Sequence, residues 1–156
     1  LKNKAMLGHI GELEKSGLNE VCVESFANHL LAPQFVEWDN CVLLVQDCDM
    51  SLPERFIPNH FCPDRTGYEA GFNHVHLNDY IDEHDPLLVL KFGLEIIRVW
   101  RSSLKKQFPE KEFVLVLSFD GEECVLRFYM KRHDSIPWID IHSLEEYQEG
   151  IMVVNI

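Results

Sequence analysis

Two short runs concentrate the side chains able to hold a metal: Asn59-His60-Phe61-Cys62 and Asn73-His74-Val75-His76, followed by Asp79. Alternate residues of a strand share a face, so His74 and His76 would project together. With His60 and Asp79 they offer the nitrogen and oxygen donors that zinc or another divalent ion takes, the donor set of a metal-dependent hydrolase. No HExxH, paired CxxC or facial-triad spacing accompanies them. Hydrogen bonding or plain exposure accounts for these imidazoles more economically. Nucleophilic catalysis has less support, because Ser118 and Ser135 lack a GxSxG elbow and no Cys carries a local family signature. The carboxylate groups Asp82, Glu83 and Asp85, and Glu145, Glu146 and Glu149, read first as solvated faces and helix caps. Two carboxylates divide into acid and base only where their surroundings separate their pKa values.

Charge carries more information. The 156 residues hold 26 Asp and Glu against 14 Lys and Arg, a net charge of −12. Such an excess repels itself in a folded domain and disfavours nucleic acid as a direct ligand. It suits a basic protein surface, because an acidic face steers and speeds association with a cationic partner. The segment Asn78-Asp79-Tyr80-Ile81-Asp82-Glu83-His84-Asp85 joins carboxylates to an aromatic and an aliphatic anchor, the mixture of a docking surface. Asp79, Asp82, Glu83 and Asp85 are therefore the expected partner contacts, with Tyr80 as anchor. The same acids also favour the start of a following helix through its dipole.

These residues need a scaffold, and the pattern predicts an α+β one in a single domain, residues 1–156. Leu7, Ile10 and Leu13 recur at helical spacing before Gly17, and Asn19 caps a second helix through Val23, Phe26, Ala27, Leu30 and Leu31 up to Pro33. Phe35 to Gln46 switches to strand character around an Asp39-Asn40 turn. Residues 50–73, broken by Pro53, Pro58, Pro63, Gly67 and Gly71, are expected to form a long loop, with at most a short irregular strand inside it. Asp85 and Pro86 open the clearest helix, whose stripe of Leu87, Leu90, Leu94, Ile97 and Leu104, with Trp100, ends at Phe108-Pro109. Arg98, Arg101, Lys105 and Lys106 supply its polar face. Phe113–Ser118 and Glu122–Met130 alternate as a hairpin about Asp120-Gly121, with Phe113, Leu115 and Leu117 on one face and Cys124, Leu126 and Phe128 on one face. A capping box of Ser143 and Glu146 opens a short helix, and Ile151–Ile156 completes a mainly antiparallel sheet against the helix near residues 86–107.

The five cysteines, Cys22, Cys41, Cys48, Cys62 and Cys124, are odd in number and without paired spacing, which argues against a disulfide framework and for a reducing cytoplasm. Cys41, Cys48 and Cys124 lie in or beside apolar runs and read as small buried hydrophobes. No apolar run approaches the roughly 18 residues of a membrane span, and Leu1 to Ile10 lacks the apolar core of a signal peptide.

The C-terminal third resembles small bacterial immunity proteins of the polymorphic-toxin and contact-dependent growth inhibition type. The resemblance rests on Trp100 to Phe108-Pro109, Phe119-Asp120-Gly121, Val125-Leu126-Arg127-Phe128, Trp138, and Leu144-Glu145-Glu146-Tyr147 leading to Gly150-Ile151-Met152-Val153. It implies inhibition by binding: an acidic face covers the basic active site of a cognate toxin, such as a nuclease, and excludes its substrate. On that expectation the protein is cytoplasmic and non-catalytic, and it needs neither cofactor nor metal. A hydrolase using His60, His74, His76 and Asp79 is the alternative, and a non-catalytic adaptor the third.

Overall fold

The computed structural model describes residues 1–18, 28–46, 50–81 and 85–156. It has the expected α+β architecture, helices laid against antiparallel sheet. Strands β1 (Phe35–Trp38) and β2 (Cys41–Leu44) form a hairpin, with Trp38 opposite Cys41. Its turn residues, Asp39 and Asn40, have φ of 45° and 61°. Two positive φ angles suit the right-handed twist of a two-residue hairpin, and Asp and Asn tolerate them better than most residues.

The main sheet has the order β3-β5-β4-β6, from β3 (Val75–His76), β4 (Phe113–Phe119), β5 (Cys124–Met130) and β6 (Gly150–Asn155). In the β4–β5 hairpin Leu115 faces Phe128 and Leu117 faces Leu126. Its loop turns at Gly121, φ 104°, while the Asp120 carboxylate accepts the Glu122 and Glu123 amides at 2.9 and 2.7 Å. Beyond β6, Leu1 and Val153 exchange backbone bonds, and the Asn3 amide donates to Ile151 O at 3.1 Å. Asn3 Oδ1 accepts from both Met6 N and Ile151 N, so one buried side chain caps helix α1 (Lys4–Ser16) and fastens it to β6.

Helix α4 (Pro86–Gln107) lies on one sheet face. Phe113, Leu115, Leu117, Phe119, Cys124, Leu126 and Phe128 meet Leu90, Phe92, Ile96, Ile97, Trp100 and Leu104 there, in the strand faces expected from alternation. Trp100 is fully buried and its indole N–H donates to Leu30 O at 3.0 Å, which docks helix α2 (Asn28–Leu31). The α1 stripe departs from expectation. Met6 is buried with Ile10 and Leu13 against the core, and Leu7 is 54% exposed. Met6, Ile10 and Leu13 keep the i, i+4, i+7 spacing of one helix face, which Leu7 leaves by about 100°. The remainder of the second predicted helix, Asn19 to Ala27, lies outside the described residues.

The opposite sheet face, Val114, Val116, Tyr129, Ile151 and Val153, packs on Ala70, Ile139 and Leu144. Ala70 belongs to helix α3 (Arg65–Phe72), which corrects the expectation of a loop through residue 73. Asp64 caps α3 by accepting the Gly67 amide at 2.7 Å, and its buried residues bind it to the hairpin despite two helix-weakening glycines. Ile139 and Leu144 belong to an irregular strap, residues 131–149, holding only the 3-10 turn Leu144–Glu146. The predicted capping box does not form: the Ser143 hydroxyl donates instead to Asp140 at 2.9 Å. Among the described residues no helix is long and apolar enough to cross a membrane.

Candidate functional site

Asn78 assembles an acidic end of the molecule. It sits in the 3-10 turn Leu77–Tyr80, directly after β3, and reaches the β4–β5 turn from there. Its Nδ2 donates to Glu122 O at 2.9 Å, and its Oδ1 accepts the Cys124 amide at 2.9 Å. Asp79, next to Asn78 in the chain, is exposed, as are Asp120, Glu122 and Glu123 of the turn that Asn78 binds. The Glu123 and Glu122 amides hold the Asp120 carboxyl below its ordinary range, keeping it ionised. Asp120, Glu123 and Glu149 also line a hollow of about 130 Å³ with Ser118, Phe119 and Val125. Carboxylates from three separate stretches of chain thus share one end.

The five expected partner contacts divide. Asp79 is exposed at this end. Asp85 is half-buried, and its Oδ1 accepts the Leu87 amide at 2.9 Å, so it is the N-cap of α4. Tyr80 is half-buried against the core, with its ring 5.3 Å from His29, which makes it a packing residue on that side. Asp82 and Glu83 lie outside the described residues. Asp120, Glu122, Glu123 and Glu149 were not among the expected contacts. Asp120-Gly121 marked a turn in the sequence, but its place beside Asp79 follows from the pairing of Val75 with Leu126 and His76 with Val125.

The histidines are only partly gathered. His74 and His76 do lie together, ring centroids 5.2 Å apart. The Nδ1 of His74 is hydrogen-bonded to Gly71 O, and that of His76 meets Glu123 at 2.5 Å. His60 is exposed and stacks edge-on with Phe61. Among the described residues no group of three or more His, Cys, Asp and Glu could hold a metal ion. The set His60, His74, His76 and Asp79 is therefore not assembled as a ligand sphere.

One buried polar network had no signal in the sequence beyond a Glu and an Asn four residues apart. Glu69 is 0% exposed. Its carboxylate accepts Val42 N at 2.7 Å, Met130 N at 2.8 Å and Arg132 Nη1 at 2.7 Å. Asn73 accepts Leu44 N and donates to Val42 O and Phe128 O. Glu69 and Asn73 thus clip β2 to β5, satisfying backbone groups that no strand reaches. A carboxylate with three short donors is a structural clamp rather than a free acid or base. Burial pushes the Cys41 thiol up to about 12 and the Cys124 thiol up as well, so neither is a ready nucleophile.

The chain matches one family model over residues 1–156, that of the Uncharacterized protein PM0498 family. No curated protein and no solved structure matches it.

Proposed function

For a chain that belongs to the PM0498 family over its whole length, we propose a stoichiometric binder of a basic protein, acting as an immunity protein that neutralises a cognate toxin. The observation that carries this reading is the convergence of Asp79 with Asp120, Glu122 and Glu123 at one end of a chain of net charge −12. The Asn78 side chain ties the two turns together and the Glu122 and Glu123 amides fix the Asp120 carboxylate, so the acidic end needs little reorganisation on binding. Such a field raises the association rate with a cationic surface and opposes approach of nucleic acid to the same place. The likeness of the C-terminal third to immunity proteins supplies the role, and the acid supplies the means. A toxin whose active site is basic, such as a nuclease, is the partner that fits.

The test begins with capture of a partner from lysate at two salt concentrations, followed by association rates for that partner. Asp79→Lys combined with Glu122→Lys alters two exposed side chains. The expected outcome is a one-to-one complex with a basic protein, whose association with the double variant is at least about tenfold slower at low salt. The two rates should converge as the Debye length shrinks to roughly 3 Å near 1 M salt. Absence of a basic partner would end the proposal, and an unchanged rate at low salt would end its placement at this end.

A further inference from the structure

Under the strap, on the sheet face away from α4, lies a cavity of about 390 Å³. Its walls are apolar: Val114 and Tyr129 of the sheet on one side, Ile136, Ile139 and Ile141 of the strap on the other. Its volume falls within the about 300 to 1,000 Å³ usual for small-molecule sites. Its charged lining departs from the acidic excess of the chain: Lys131 and Arg132 line it, with His142 also in the wall, against Asp140 as the lone acid. Both oxygens of Asp140 are engaged within its own turn, Oδ1 by the His142 amide and Oδ2 by the Ser143 hydroxyl, each at 2.9 Å. Arg132 is anchored behind the cavity by Glu69, while Lys131 meets Glu112 in a surface pair whose side chains are 52% and 58% exposed. An exposed pair of that kind is worth at most about 1 kcal/mol, so Lys131 can exchange its partner for a ligand at little cost.

We propose that this cavity is a binding site for a small apolar molecule bearing one anionic head group, such as an aryl or alkyl carboxylate or sulfonate. The apolar body lies between Tyr129 and the strap isoleucines, and the head group meets Lys131 at the rim. Ile136, 84% exposed, closes over the body and gains burial on binding. The site is separate from the acidic end, and its occupancy does not depend on the toxin-binding reading.

The probes are 8-anilinonaphthalene-1-sulfonate and its uncharged counterpart N-phenyl-1-naphthylamine, titrated by fluorescence into the whole chain. The sulfonate is expected to saturate at one per chain. Ile136→Glu should abolish binding of both dyes, while Ile57→Glu, altering a residue 69% exposed outside the cavity lining, should leave both intact. Lys131→Glu should weaken the sulfonate on the order of tenfold, a difference of about 1.4 kcal/mol, and spare the uncharged dye. Denaturation midpoints of the variants separate loss of the site from loss of the fold. Non-saturating fluorescence, full binding by a folded Ile136→Glu chain, or loss of binding in a folded Ile57→Glu chain would overturn the site. Equal weakening of both dyes by Lys131→Glu would overturn the anionic head group.

Discussion

Glu69 shows how much a single side chain can hold in this protein. Its three donors come from β2, β5 and Arg132, so its removal strands two backbone amides and leaves a guanidinium whose side chain is only 12% exposed without its counter-charge. Removing one partner of a buried ion pair costs about 3–5 kcal/mol. Glu69→Ala is expected to lose that much in urea denaturation, and a loss under 1 kcal/mol would contradict the clamp role. Asp39 works at the surface in a similar way. It accepts the Phe56 amide at 2.7 Å and Arg65 Nη2 at 2.9 Å, and these bonds, the amide first, hold its pKa below the ordinary value. A carboxylate depressed in the folded state contributes stability above its unfolded pKa of about 3.9 and loses it as pH falls through the lower, folded value. Asp39→Asn keeps tolerance of the positive φ but removes that ionisation. The variant should be less stable than wild type at pH 7, with the gap closing at pH 2. A gap that is the same at both pH values would assign it to shape rather than charge.

Between elements, close approach is governed by glycine. A Cβ on Gly150 would come within 2.9 Å of Met6 Cα and 3.0 Å of Met6 N, where α1 crosses the start of β6. Those atoms are backbone and cannot turn aside, so Gly150→Ala is expected to lose about 1–3 kcal/mol. Gly8, exposed in the middle of α1, has nothing within 4 Å of such a Cβ. Gly8→Ala should gain up to about 1 kcal/mol through helix propensity alone. Paired denaturation curves test both, and equal effects of the two substitutions would refute the packing account. The same scale explains why α3 escaped the sequence pattern. Its eight residues include Gly67 and Gly71 and follow Pro63, so the local signal is that of a broken chain. Burial of Thr66, Glu69 and Ala70 against the strands outweighs that local cost. By contrast α4 carried its own start, an Asp85 cap with Pro86 in the first turn, and its limits were visible in the chain.

Across the whole molecule the excess of acid sets a balance between stability and association. A net charge of −12 on 156 residues opposes compaction, and salt screens that repulsion. The thermal midpoint at pH 7 should therefore rise between 10 mM and 200 mM salt, whereas association with a basic partner should slow over the same interval. A midpoint that falls would place the net electrostatics of folding on the attractive side. The hairpins, the α4 helix and the strand faces of the α+β fold were determined by sequence alone. Their periodicity, caps and Asp-Asn and Asp-Gly turns act over a few residues, and local chemistry suffices to place them. Tertiary structure alone decided which carboxylates stand together. Asp79 joins Asp120, Glu122 and Glu123 only because β3 pairs with β5 and Asn78 bridges the two turns. It also decided that Asp85 serves the helix, that among the described residues the histidines join no group able to hold a metal, and that an apolar cavity with Lys131 in its lining lies under the strap. Those outcomes depend on contacts between residues tens of positions apart, and the geometry of such contacts is set by the packed sheet rather than by spacing along the chain.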